Sequence, residues 1–153
     1  MTNEARFMQE ALSLARQAQQ DGNHPFGALL VKGNEVVLTA VNTVHTEQDI
    51  TRHAELNLVS QATRQFTPEF LAECVLYTST EPCAMCAGAI YWAGINTVVF
   101  GCSAEELGNI AGGDFVIPCQ DIFARGKRPI TVIGPVLVEE STAVHQQYWS
   151  HLS

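Results

Sequence analysis

His53-Ala54-Glu55 and, from Pro82 onward, Pro82-Cys83-Ala84-Met85-Cys86 are the stretches from which the rest of this chain is read. One imidazole and two thiolates can hold a zinc ion and leave its fourth position to water. A carboxylate two residues beyond the imidazole can then move protons for that water. Five His, twelve Glu, five Cys and six Pro scattered over 153 residues would produce both patterns together about once in four hundred chains.

The spacings say how such a site must be built. Cys83 and Cys86, three apart, share a face of a helix and fall in its first turn, where unpaired N–H groups favour thiolate over thiol. Pro82 is expected at the first helical position, where its missing N–H costs nothing. His53 and Glu55 would diverge in mid-helix and converge only if His53 opens its own helix. The expectation is two helix N-termini pointing at one ion. Zinc so held can bring the pKa of its water to about 7, ready to attack an sp² ring carbon that carries an amino group. Glu55, the titratable group left over, would take the water's proton, deliver it to the ring nitrogen and help ammonia depart.

Two other readings use the same residues. A structural zinc site would need a fourth ligand, available from Cys74, Cys102 or Cys119. A thioredoxin-like redox pair would leave His53-x-Glu55 without a role. As plain residues, Cys74, Cys102 and Cys119 read as small buried hydrophobes.

Outward from the motifs, 153 residues at 46% hydrophobic suit one globular domain, 1–153. No apolar run is long enough to cross a bilayer, and the opening residues lack a signal-peptide stretch, so a reduced, cytoplasmic protein is expected. The formal charge of −8, with only eight Lys plus Arg, weighs against a nucleic-acid partner. The single basic run, Arg125-Gly126-Lys127-Arg128, reads as a solvated turn.

Periodicity predicts a helix from about Asn3 to Gln20 and a hairpin of Phe26–Val31 with Val36–Val41. A helix follows from His53 to about Ala62, then a strand Val75–Thr78, a helix Cys83–Ala93 and a strand Thr97–Phe100. A loop-rich stretch through Arg125 leads to a strand Thr131–Val138 and a last helix Glu139–His151. This order predicts a mixed sheet with helices on both faces, an α/β layered domain.

The H-x-E…P-C-x-x-C pattern is the known signature of zinc deaminases of nucleobases. Beyond it the chain resembles the cytidine-deaminase superfamily in Pro25-Phe26-Gly27-Ala28, in Asn42, and in Tyr77-Thr78-Ser79-Thr80-Glu81-Pro82-Cys83-Ala84-Met85-Cys86-Ala87-Gly88-Ala89-Ile90-Tyr91-Trp92. The resemblance covers roughly residues 1 to 110. It is closest to two branches, the bacterial guanine deaminases and the tRNA adenosine deaminases. It implies a three-layer α/β/α domain with a five-stranded mixed sheet, zinc on His53, Cys83 and Cys86, and Glu55 as proton shuttle. It further implies Asn42 hydrogen-bonded to the substrate ring, Phe26 packed on it, and backbone around Ala54 and Thr80–Cys83 lining the pocket.

Within the superfamily, the aromatic pair Tyr91-Trp92 and a C-terminal segment without Lys or Arg resemble the guanine-deaminase branch. That branch implies Trp92 and Asp114 as substrate contacts, with a lid aromatic from Tyr148 or Trp149. It also implies a homodimer, possibly with a swapped C-terminal segment. Arg52, where a small residue is usual, would face an oxo or carboxylate group, or solvent. The function implied is a zinc-dependent hydrolytic deaminase of guanine or a related 2-amino-4-oxo ring such as isocytosine. The alternative is a tRNA adenosine deaminase.

Overall fold

The computed structural model describes residues 2–150. Alternation of side chains across the strands places two cores on opposite faces of one sheet. Ala28, Leu30, Leu76 and Val98 point to one face, and Leu29, Val31, Tyr77 and Val99 to the other. A strand buried on both sides reads as a continuous apolar run, which is why Ala28-Leu29-Leu30-Val31 lacks a polar alternation.

The strands are β1 (Gly27–Lys32), β2 (Glu35–Val41), β3 (Val75–Thr80), β4 (Thr97–Cys102) and β5 (Thr131–Ile133), in the spatial order β2-β1-β3-β4-β5. β1 pairs antiparallel with β2 and β3, while β3–β4 and β4–β5 are parallel. The sheet is therefore mixed, as expected.

On one face lie α1 (Asn3–Gln20) and the last helix, α8 (Val138–Trp149); on the other lie α3 (Ala54–Gln65), α5 (Ala84–Ala93) and the short α7 (Cys119–Phe123). α1 buries Phe7, Met8, Ala11, Leu12, Ala15 and Ala18 at helical spacing and begins at a Thr2 side chain that accepts from the Ala5 N–H. Its approach to β1 is very close. A Cβ on Gly27 would stand 2.6 Å from the Ala11 carbonyl oxygen, so only glycine fits. Each fully buried Leu or Val in these two cores contributes about 2 kcal/mol through the apolar surface it hides from water.

Several elements differ from the sequence expectation. Short helices α2 (Val44–Glu47) and α4 (Pro68–Ala72) occupy what reads as loop, and the loop-rich stretch holds α6 (Ala104–Ala111) and α7. The Ser103 side chain accepts from the Glu106 N–H at the start of α6, a capping signal that a short Gly-rich segment conceals. β5 is only three residues, not eight. The chain leaves the sheet at Gly134-Pro135, where proline offers no N–H to continue the ladder. Of the expected last helix, Glu139 to Trp149 is helical as read, and His151 lies outside the described residues.

Candidate active site

The parallel strand β3 delivers the chain, through Glu81 and Pro82, to the start of α5 at the C-terminal end of the sheet, where α/β folds place their sites. Cys83 is the N-cap of α5, extended at φ −70° and ψ 174°, and its carbonyl accepts the first helical bond from Ala87. Pro82 therefore stands one residue outside the helix rather than at its first position. It fixes the extended approach instead of filling the first turn. His53 is likewise the N-cap of α3, at φ −69° and ψ 154°.

Two helix N-termini thus meet. His53 Nδ1 lies 3.5 Å from Cys83 Sγ and 3.7 Å from Cys86 Sγ, and one ligand atom from each residue falls within 4.8 Å of the others. The strongest influence on Cys83 is the Cys86 thiol, which donates to it. With His53 adding to this, the Cys83 thiol drops to about 4. Cys86 is pushed upward by the same hydrogen bond and by burial, so the pair holds one proton. A thiolate ready in place, one displaceable proton and an imidazole nitrogen aimed at both sulfurs form the donor set zinc takes.

Among the described residues no further His, Cys, Asp or Glu joins this group. Cys74 is buried and donates to the Phe70 carbonyl, Cys102 and Cys119 are buried elsewhere, and burial pushes Cys102 up to about 11. The four-ligand structural site is therefore not assembled, and a fourth position is left for water. These three cysteines behave as buried hydrophobes.

Glu55, the second residue of α3, is 4% exposed. Burial above all, then the charge of Cys83, pushes its carboxyl up to about 7, with the Thr78 hydroxyl beside it opposing the shift. Asn42 is 1% exposed, and its carboxamide oxygen accepts from the Val44 N–H at 3.0 Å. With that oxygen engaged, the group it can offer a ligand is the amide N–H donor. Phe26 is half-buried at the rim of the α3/α5 core and Ala54 is buried as the first residue of α3.

Within this chain, two of the expected substrate contacts, Trp92 and Asp114, lie apart from the metal group. Trp92 is 85% exposed and meets Tyr91 edge-on, so within this chain it does not line the cavity beside Cys83. Tyr91 turns inward instead. Its hydroxyl accepts from the backbone N–H groups of Lys127 and Arg128, and the Arg128 guanidinium lies 4.6 Å from its ring centroid. Arg128 also donates to the carbonyls of Tyr91 and Ile95, at the end of α5. The basic run is thus partly a structural clamp, not merely a solvated turn. Asp114 is exposed, though its neighbours Gly113 and Phe115 line a cavity of about 320 Å³ beside Cys83. Arg52 pairs with Asp49 at 3.5 Å and faces a groove along β2 with Thr39 and Arg64.

That cavity also exposes what motif reading missed. Glu81 accepts from the N–H groups of Ala104 and Cys119, the first residues of α6 and α7, at 2.9 and 2.7 Å. One carboxylate therefore anchors both helices that follow β4, and α6 with Leu107 and the segment between the two helices with Val116 wall the cavity. The quoted motif contains Glu81, but nothing local tells which distant N–H groups it meets.

A three-donor group with an open position, set on helix N-termini at the edge of a mixed sheet, defines a zinc-dependent hydrolytic enzyme. The pattern of the cytidine and deoxycytidylate deaminase zinc-binding region matches residues 1–102, and the chain belongs to that family. It is a hydrolase acting on a C–N bond of a cyclic amidine. A probable cytosine deaminase of Schizosaccharomyces pombe is 38% identical over 148 residues, covering 94% of this chain and 90% of its own. A tRNA-specific adenosine deaminase of Bacillus subtilis is 38% identical over 101 residues, 66% of this chain and 63% of its own. The solved guanine deaminase of Nitrosomonas europaea superposes with a TM-score of 0.81 at 25% identity, over 94% of this chain and 82% of that one. Among the described residues no helix is long and apolar enough to cross a membrane.

Proposed function

We propose that this chain deaminates a small free amino-oxo nucleobase, guanine or the related 2-amino-4-oxo ring of isocytosine, by hydrolysis. The observation that carries this reading is the cavity beside Cys83. It is lined by Ala104, Leu107, Ala111, Phe115, Val116 and Ile117 among others, and its one charged side chain, Glu81, is already bonded to backbone. About 320 Å³ lies at the lower end of small-molecule pockets, and nothing in the lining would neutralise a phosphate.

When bound by His53, Cys83 and Cys86, zinc would lower the pKa of a water to about neutral and so supply the nucleophile. Glu55, held near 7 and shielded from solvent, takes a proton from that water and passes it to the ring nitrogen, then takes the second proton from the added hydroxyl and delivers it to the leaving amine as the C–N bond breaks. Asn42 donates to the substrate oxo group, a contact that guanine, isocytosine and cytosine can all make. Phe26 packs on the ring, and backbone at Ala54 borders it.

Ammonia release from a panel of guanine, isocytosine, cytosine, adenine and their nucleosides tests the reading. Turnover of an amino-oxo base is expected, with nucleosides at least tenfold poorer. Failure on every free base refutes it. The tRNA reading is supported by tRNA adenosine deaminases among the relatives, the Bacillus protein included, and predicts salt-sensitive tRNA binding that a chain of net charge −8 is not expected to show.

A further inference from the structure

Thr80, the last residue of β3, and Trp149, the last residue of α8, belong to different layers of the fold, the sheet and the helix layer on it, and one buried imidazole joins them. His145 is 1% exposed. The Trp149 indole N–H donates to its Nδ1 at 3.1 Å, so in the neutral ring the proton sits on Nε2. That Nε2–H then donates to Thr80 Oγ1, 2.6 Å away. Burial depresses the His145 pKa, which keeps the ring neutral and the direction of the chain fixed.

The two ends of this chain touch the site. Thr80 precedes Glu81-Pro82-Cys83, and Trp149 lines the same cavity as Cys83. The His145 ring itself packs against Phe26 at 5.1 Å between centroids, and Trp149 against His24 at 5.3 Å. α8 lies on α1, β4 and α6 of its own chain, so this wall is built without a second subunit.

We propose that His145 is a positioning residue: the Trp149–His145–Thr80 chain holds the Trp149 indole and the Phe26 ring at the distance that fits the substrate ring. This rests on the reading of the site as a base deaminase. Its consequence is that base affinity depends on a residue that does not touch the reacting atoms.

The test uses the zinc-loaded full chain and three variants. Trp149→Phe keeps an aromatic ring but removes the N–H donor with the pyrrole half of the indole, His145→Leu removes both bonds, and the double variant combines them. On the best free base of the panel, each single variant should raise KM roughly tenfold with kcat within about twofold, since a positioning contact acts on binding. The double variant should be no worse than His145→Leu alone, because both changes break one chain. An unchanged KM, or fully additive effects, overturns the proposal. Should His145→Leu fail to fold, KM of Thr80→Val, which removes the His145 partner and leaves both rings intact, decides: a raised KM supports the proposal and an unchanged one overturns it. A wild-type chain inactive on every base refutes the deaminase reading, and the proposal then stands on indole N–H exchange. The Trp149 indole proton should exchange slowly beside the fast proton of the exposed Trp92, and fast exchange of both overturns it.

Discussion

His53 Nδ1 stands 3.5 Å from Cys83 Sγ although thirty residues separate them, because each residue is the N-cap of its own helix. N-cap geometry turns the side chain back over the helix start, so two helices ending at one point bring an imidazole and a thiolate together. Cys86, three residues into α5, completes the group.

Zinc content per variant follows from this placement. Cys83→Ala and Cys86→Ala should each lose zinc, while Cys74→Ala, Cys102→Ala and Cys119→Ala should each keep one ion per chain by metal analysis. Loss of zinc from any of the latter three would mean a fourth cysteine ligand.

The two motifs held the site's chemistry in readable form because metal ligation fixes residue type and spacing together. The helix α1 and the first hairpin were legible for a related reason: a face buried along its whole length leaves an uninterrupted period. Trp92 and Asp114 were not. Trp92 adjoins Tyr91 in sequence, but in a helix adjacent residues point about a quarter-turn or more apart, so packing Tyr91 against Gly126 and Arg128 sends Trp92 outward. Glu81 and His145 carry the long-range contacts of the cavity, at separations of 23 to 65 residues, and no local pattern encodes these.

Glu81→Gln should cost about 1–3 kcal/mol in denaturant unfolding, since one amide oxygen cannot replace two carboxylate oxygens and a backbone N–H of Ala104 or Cys119 loses its acceptor. KM should rise with it as the wall formed by α6 and the segment up to Cys119 loosens. A variant as stable as wild type would show that these bonds are not holding the wall.

Gly126→Ala should destabilise by about 1–3 kcal/mol, because the added Cβ would stand 2.3 Å from the Tyr91 ring, which is fixed on its other contacts by Arg128. Urea midpoints with an unchanged m-value would read this directly.

His145 gives stability a pH dependence of known sign. Burial holds its folded pKa at about 4, below the ordinary 6.5, and Thr80, Phe26 and Trp149, which face it, carry no charge. Between these values the unfolded chain binds the extra proton, so stability falls as pH drops from 6.5 to 4 and is level on either side. The difference between wild type and His145→Gln should span about 3 kcal/mol over that window. A pH-independent difference would contradict the buried neutral ring.

In the proposed function, Glu55 moves the proton for a zinc-dependent deamination. Glu55→Gln is the most direct measurement of it, with ammonia release and zinc content determined on the same protein. Turnover should fall at least about a thousandfold while zinc stays at one per chain, the loss expected when a positioned acid–base group is removed. Substantial turnover by the zinc-loaded variant would contradict the account.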